Sequence, residues 1–166
     1  MSETNGNLLD QYLQLPSQLE EAIVGLEEGD LDLRKGNGWS IREIVCHLVE
    51  GEQLWQINLR TVIGLNGAKF PFEWYFELSQ VEWSKHWAYS TRFLKAMLDL
   101  FRADTQYLAD ILRNLPTDIW EHYGRVTWPA AEEETRLTVR EIVEIQIRHM
   151  DGHAADIQAI RALHGC

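Results

Sequence analysis

Cysteine is scarce in this chain of 166 residues: it occurs twice, as Cys46 and Cys166. That is too few for a disulfide framework or an all-thiolate zinc site. Basic side chains are also in deficit, 15 Lys and Arg against 26 Asp and Glu, for a formal charge of −11. No cluster of them is dense enough to neutralise a run of phosphates, so nucleic acid and anionic membrane surfaces are not expected partners. Apolar runs stop well short of the ~20 residues that a membrane span needs. The opening Met-Ser-Glu-Thr-Asn-Gly-Asn has neither the basic start nor the apolar stretch of a secretory signal. A cytoplasmic protein is expected. Sustained period-two alternation and phosphate-type glycine loops are missing too, and the nearest hairpin signal, Asn66-Gly67, follows a helical pattern rather than a strand.

What remains is helical. With 45% hydrophobic residues the chain can bury one substantial core without staples, and residues 1–166 read as a single domain. Helical periodicity marks a first helix from Asn7 to Glu28, with Leu8, Tyr12, Leu19, Ile23 and Leu26 inward and Pro16 as a kink or a late true start. A second begins at Trp39-Ser40-Ile41-Arg42-Glu43-Ile44, where Ser40 and Glu43 form a capping box and Trp39 can staple onto Ile44. The third spans Val81 to Asn114, closed by Pro116. The fourth starts at Thr138-Val139-Arg140-Glu141, the same box again. The expected fold class is all-α, a four-helix bundle with a long crossover connection. The span from Thr117 to Arg136, with Pro129 and the acid run Glu132-Glu133-Glu134, reads as a solvated connection. Phe70-Pro71-Phe72-Glu73-Trp74-Tyr75-Phe76 is the densest aromatic stretch, suited to a pocket wall, a lid, a dimer interface or plain packing.

The chemistry-bearing residues are histidines. His149 and His153 lie one helical turn apart, a spacing that six randomly placed histidines would produce roughly 0.2 times in such a chain. On a helical wheel they fall in one stripe with Ile142, Val143, Gln146, Met150, Ile157 and Ile160, so both face the core. Two neutral imidazoles on an apolar face need partners for one donor and one acceptor each, and a shared metal ion takes both acceptors at once. Separate hydrogen bonds would satisfy them as well. On the second helix His47 sits about 100° from the centre of the apolar stripe, on an edge facing a groove, and Gly51 one turn later leaves that imidazole room. Cys46 beside His47 is a poor thiol and base pair, because adjacent helical residues diverge by about 100°.

The strings W-S-I-R-E-I-V-C-H-L-V-E-G-E at positions 39–52 and H-M-D-G-H-A-A-D-I-Q from His149 resemble the DinB/YfiT-like superfamily over nearly the whole chain. The resemblance implies a four-helix bundle with a long crossover, in which a histidine of the second helix and an H-x3-H pair of the last bind a divalent metal. By motif these are His47, His149 and His153. The stretch from Pro116 to Arg136 follows no pattern of the family.

Three neutral imidazoles would leave the charge of a divalent ion uncompensated, which favours an anionic ligand such as hydroxide, carboxylate or thiolate. The resemblance implies thiol-dependent S-transfer or metal-dependent hydrolysis of a small molecule, a low-molecular-weight thiol among the candidates. Zinc and nickel come first among the ions, with iron and copper also suited to imidazole. The opposing reading is a non-catalytic stress or storage module whose metal ties two helices together. A bundle with no metal is the third. No general base is evident: Glu50 and Glu52 point away from His47, Asp156 borders the histidine stripe, and Gln146 is placed to orient a ligand or water. His86, His122 and His164 are read as solvent or helix-end residues. A homodimer fits the aromatic surplus, with no interface singled out.

Overall fold

The computed structural model describes residues 3–129, 131 and 133–166, so Glu132 of the acid run lies outside the described residues. The helices are α1 (Glu3–Leu13), α2 (Leu15–Ile23), α3 (Ile41–Gly64), α4 (Gln80–His86), α5 (Leu94–Asn114) and α6 (Val139–His164). Two short strands, β1 (Tyr123–Val126) and β2 (Thr135–Thr138), pair antiparallel between α5 and α6. Among the described residues no helix is long and apolar enough to cross a membrane.

The bundle proper consists of the α1–α2 arm, α3, α5 and α6. Helix α3 packs against both α5 and α6, and so does the arm, which puts arm and α3 on one diagonal and α5 and α6 on the other. Tyr12, Leu19, Val45, Phe101, Leu108, Ile142 and Ile157 fill the space between them. Because α5 and α6 are diagonal neighbours, the chain joining them crosses an end of the bundle, and the β-hairpin is part of that crossing.

Both helix starts read from sequence carry the expected boxes. The Ser40 hydroxyl accepts from the Glu43 amide at 3.2 Å while the Glu43 carboxylate accepts from the Ser40 amide at 2.8 Å. Thr138 and Glu141 repeat this at 3.1 and 2.8 Å. A third box, Ser79 with Glu82, opens α4.

Three expectations need correction. The first helix is two: it breaks at Gln14, with Pro16 in the first turn of α2, where its missing N–H costs no hydrogen bond. It also ends at Ile23 instead of Glu28, because Gly25 turns the chain with φ of 79°. The third helix is broken as well. After α4 the chain takes a left-handed step at Ala88, φ 53°, passes through a 3-10 turn at Tyr89–Thr91 and restarts at Leu94. Trp83 and Trp87 thus stack with Tyr75, at 5.8 and 6.2 Å between ring centroids, instead of extending the inward face of α5, and Trp87 also packs against the edge of the core. Finally, the mainly helical fold carries the hairpin, whose four-residue strands are too short to display alternation.

The hairpin fastens the aromatic stretch in place. Phe70 N–H donates to the Arg125 carbonyl and Arg125 N–H to the Ala68 carbonyl, both at 2.9 Å. Gly124 is required here, since a Cβ on it would lie 1.7 Å from Cε1 of Phe70.

Candidate metal centre

Helix α3 presents His47, and α6 presents His149 and His153, to the same point between the helices. One ring nitrogen from each lies within 4.8 Å of the others. The Nε2 atoms of His47 and His149 are 3.0 Å apart, close to the ~3.3 Å edge of a tetrahedron with metal–nitrogen bonds of ~2.0–2.1 Å. That separation equally suits one N–H···N hydrogen bond between the rings. His47 is only 5% exposed and the other two are half-buried. Burial, reinforced by the neighbouring imidazoles, pushes His47 down to about 3, and burial with His153 beside it pushes His149 down to about 4. Both rings are therefore neutral at pH 7, the protonation state a ligand needs.

The surroundings orient the rings. His153 Nδ1 lies 3.2 Å from Asp156 Oδ2, so a proton on Nδ1 leaves the Nε2 lone pair free, the usual arrangement of a ligating histidine backed by a carboxylate. Trp39 covers the group, its ring 4.6 Å from that of His47 and 6.3 Å from that of His153. Gly51 makes room, but for His149: a Cβ there would stand 3.6 Å from His149 Cε1. Among the described residues no fourth His, Cys, Asp or Glu joins the group. The donor set and its spacing fit a divalent ion with an open position.

Two larger clefts reach the histidines. One, of about 240 Å³, has His47 and His149 at its floor and Trp55, Phe72, Tyr75, Phe76 and Trp128 as walls. The aromatic stretch thus serves largely as a pocket wall, with Phe72 and Phe76 at 5.2 Å and Phe76 and Trp128 at 5.7 Å. The other, of about 290 Å³, opens beside His153, Asp156, Lys35 and Trp39. Trp128, Asn58 and Gln80 were not singled out by the sequence, where each is an isolated residue without a pattern.

The remaining candidates fall elsewhere. Glu50 pairs with Arg92. Glu52 turns inward, accepting from the Tyr12 hydroxyl, and its burial raises the carboxyl to about 7. Gln146 faces that carboxyl group, beside a small cavity that His149 also lines, rather than either open cleft, and with its amide turned so that the nitrogen meets Glu52 it donates to Oε1 at 3.2 Å. Cys46 is fully buried against the Tyr89 carbonyl and Met97, and burial pushes its thiol up to about 12, which removes it as a nucleophile. His164 donates to the Arg34 carbonyl at 3.0 Å, and His86 and His122 also stay outside the cluster.

The molecule is thus a crossed-over helical bundle in which two long helices bring three imidazoles together, two of them lining an aromatic cleft. The family model of the DinB superfamily matches residues 11–157, and the chain belongs to that superfamily. Its structure is similar to that of YfiT from Bacillus subtilis, described as a probable metal-dependent hydrolase with an unusual four-helix bundle topology. The TM-score is 0.85 at 17% sequence identity, covering 99% of this chain and 90% of that one. No curated protein matches.

Proposed function

We propose that the chain is a divalent-metal-dependent enzyme acting on a small molecule, a hydrolase or a thiol S-transferase, with His47, His149 and His153 as the ligands. The observation that carries this is the convergence of three imidazoles, His47 and His149 held neutral by burial, beside a cleft with no fourth ligand among the described residues. A site that merely tied α3 to α6 would be closed by a fourth protein donor. The likeness to YfiT supports hydrolysis over S-transfer. When bound, a divalent ion supplies Lewis acidity, which brings the deprotonation of water or a thiol towards neutral pH. The chain's own groups do the rest: the His47 and His149 imidazoles stay neutral, Asp156 holds His153 in one tautomer, and the aromatic walls line the approach to the histidines. Zinc or nickel is the expected ion.

Elemental analysis of untagged protein purified without chelator tests the proposal. Near-stoichiometric metal is expected in the wild type, and its loss in both His47→Ala and His149→Ala. A wild type without metal even after reconstitution would return the histidines to a purely structural role.

A further inference from the structure

The aromatic cleft differs from its neighbour in what it lacks. Among the described residues no Lys, Arg, Asp or Glu lines it, whereas the cleft beside His153 has Lys35 and Asp156. It follows one face of α3 through His47, Gly51, Leu54, Trp55 and Asn58, three helical turns and about 16 Å between the end Cα atoms. Its two ends differ chemically: imidazoles stand at one and an amide at the other. Asn58 is 1% exposed, and its Nδ2 donates to the Leu54 carbonyl at 2.9 Å, which fixes the amide orientation. Its Oδ1 is buried and, among the described residues, has no hydrogen-bond partner. An orphaned acceptor of this kind is costly to maintain and is rare unless something else satisfies it.

We propose that this cleft binds a neutral, flat, mostly apolar molecule of aryl type, whose N–H or O–H group donates to Asn58 Oδ1 at the end remote from the histidines. Trp55, Phe72, Phe76 and Trp128 supply faces and edges for an aromatic ring. An anionic body would lose its hydration and meet no cation on the walls, in a chain whose net charge of −11 already repels it. The cleft of about 240 Å³ lies below the usual range for drug-sized ligands, so the ligand is small. The assignment rests on the proposed function only for what happens at the histidine end.

The test uses protein stripped of metal, so that a carboxylate has no ion to bind. Three probes with the same naphthylmethyl body are titrated by isothermal calorimetry: 1-naphthaleneacetamide, its bulkier N,N-dimethyl derivative and 1-naphthaleneacetate. The primary amide is expected to bind at least about tenfold more tightly than the carboxylate and about fivefold more tightly than the dimethylamide, which has no donor. Asn58→Leu, similar in volume, should abolish the second preference and leave the first, while Trp128→Ala should weaken all three probes. A carboxylate bound as well as the amide, no binding of any probe, or a donor preference that survives Asn58→Leu would overturn the assignment. Metal uptake without probe binding sinks this inference alone, and probe binding in a chain that never takes up metal sinks the proposed function alone.

Discussion

Glu52→Gln probes the buried polar cluster behind the histidines. Glu52 is 4% exposed, accepts from Tyr12 on α1, has Gln56 at 3.5 Å on α3 and faces the Gln146 amide on α6. Burial outweighs these hydrogen bonds, Asp104 on α5 adds to it, and the carboxyl rises from 4.5 to about 7. The native state therefore holds this proton more tightly than the unfolded chain does. The resulting stabilisation is complete below the unfolded value and is lost as the pH climbs through about 7. A shift from 4.5 to about 7 corresponds to about 3 kcal/mol between the two limits. Glutamine keeps the shape and still accepts from Tyr12, but does not titrate. Urea unfolding of both metal-free proteins at intervals from about pH 4.5 to about pH 8 should show the stability of the wild type falling relative to the variant by about 3 kcal/mol. His47 and His149 titrate in both proteins and cancel in the difference. Parallel stability curves would refute the reasoning.

The remaining predictions concern packing, reactivity and assembly. Gly124→Ala forces a methyl group into the ring of Phe70 and should cost about 1–3 kcal/mol in denaturant unfolding; a cost under about 0.5 kcal/mol would show that the ring moves away freely. With a thiol-labelling reagent the native protein should react quickly at exposed Cys166 and at Cys46 only on unfolding, so two fast thiols would contradict the buried position of Cys46. Of the stretch from Phe70 to Phe76, Phe70 and Phe72 are buried and Trp74 stays 45% exposed. If the chain dimerises through this stretch, Trp74→Glu should give monomers in sedimentation, and an unchanged dimer would place the contact elsewhere.

The helix starts at Ser40 and Thr138 and the His149–His153 stripe were legible because their causes are local. A capping box spans four residues, and an i, i+4 pair needs only the 3.6-residue period. The breaks were harder to read. Ala88 interrupts what looks like one amphipathic helix, because the residues on both sides keep helical spacing while packing against different partners, and periodicity records spacing alone. The helical period puts His47 on the edge of α3, but its pairing with α6 is carried by the family motif rather than by periodicity.

Local sequence by itself determined where the main helices begin, which faces they bury and that two histidines project together from α6, since each depends on neighbours within a turn or two. Tertiary structure decided the rest. It brought His47 across to His149 over a separation of 102 residues, turned Gln146 towards Glu52 and used Gly51 to seat His149. It also folded Trp128 and the stretch from Phe72 to Phe76 over the same floor, leaving Asn58 at the far end of the cleft with a free acceptor. These are contacts between segments whose separate patterns carry no record of one another, and only the packing of α3 against α6 and the hairpin that crosses the bundle make them neighbours.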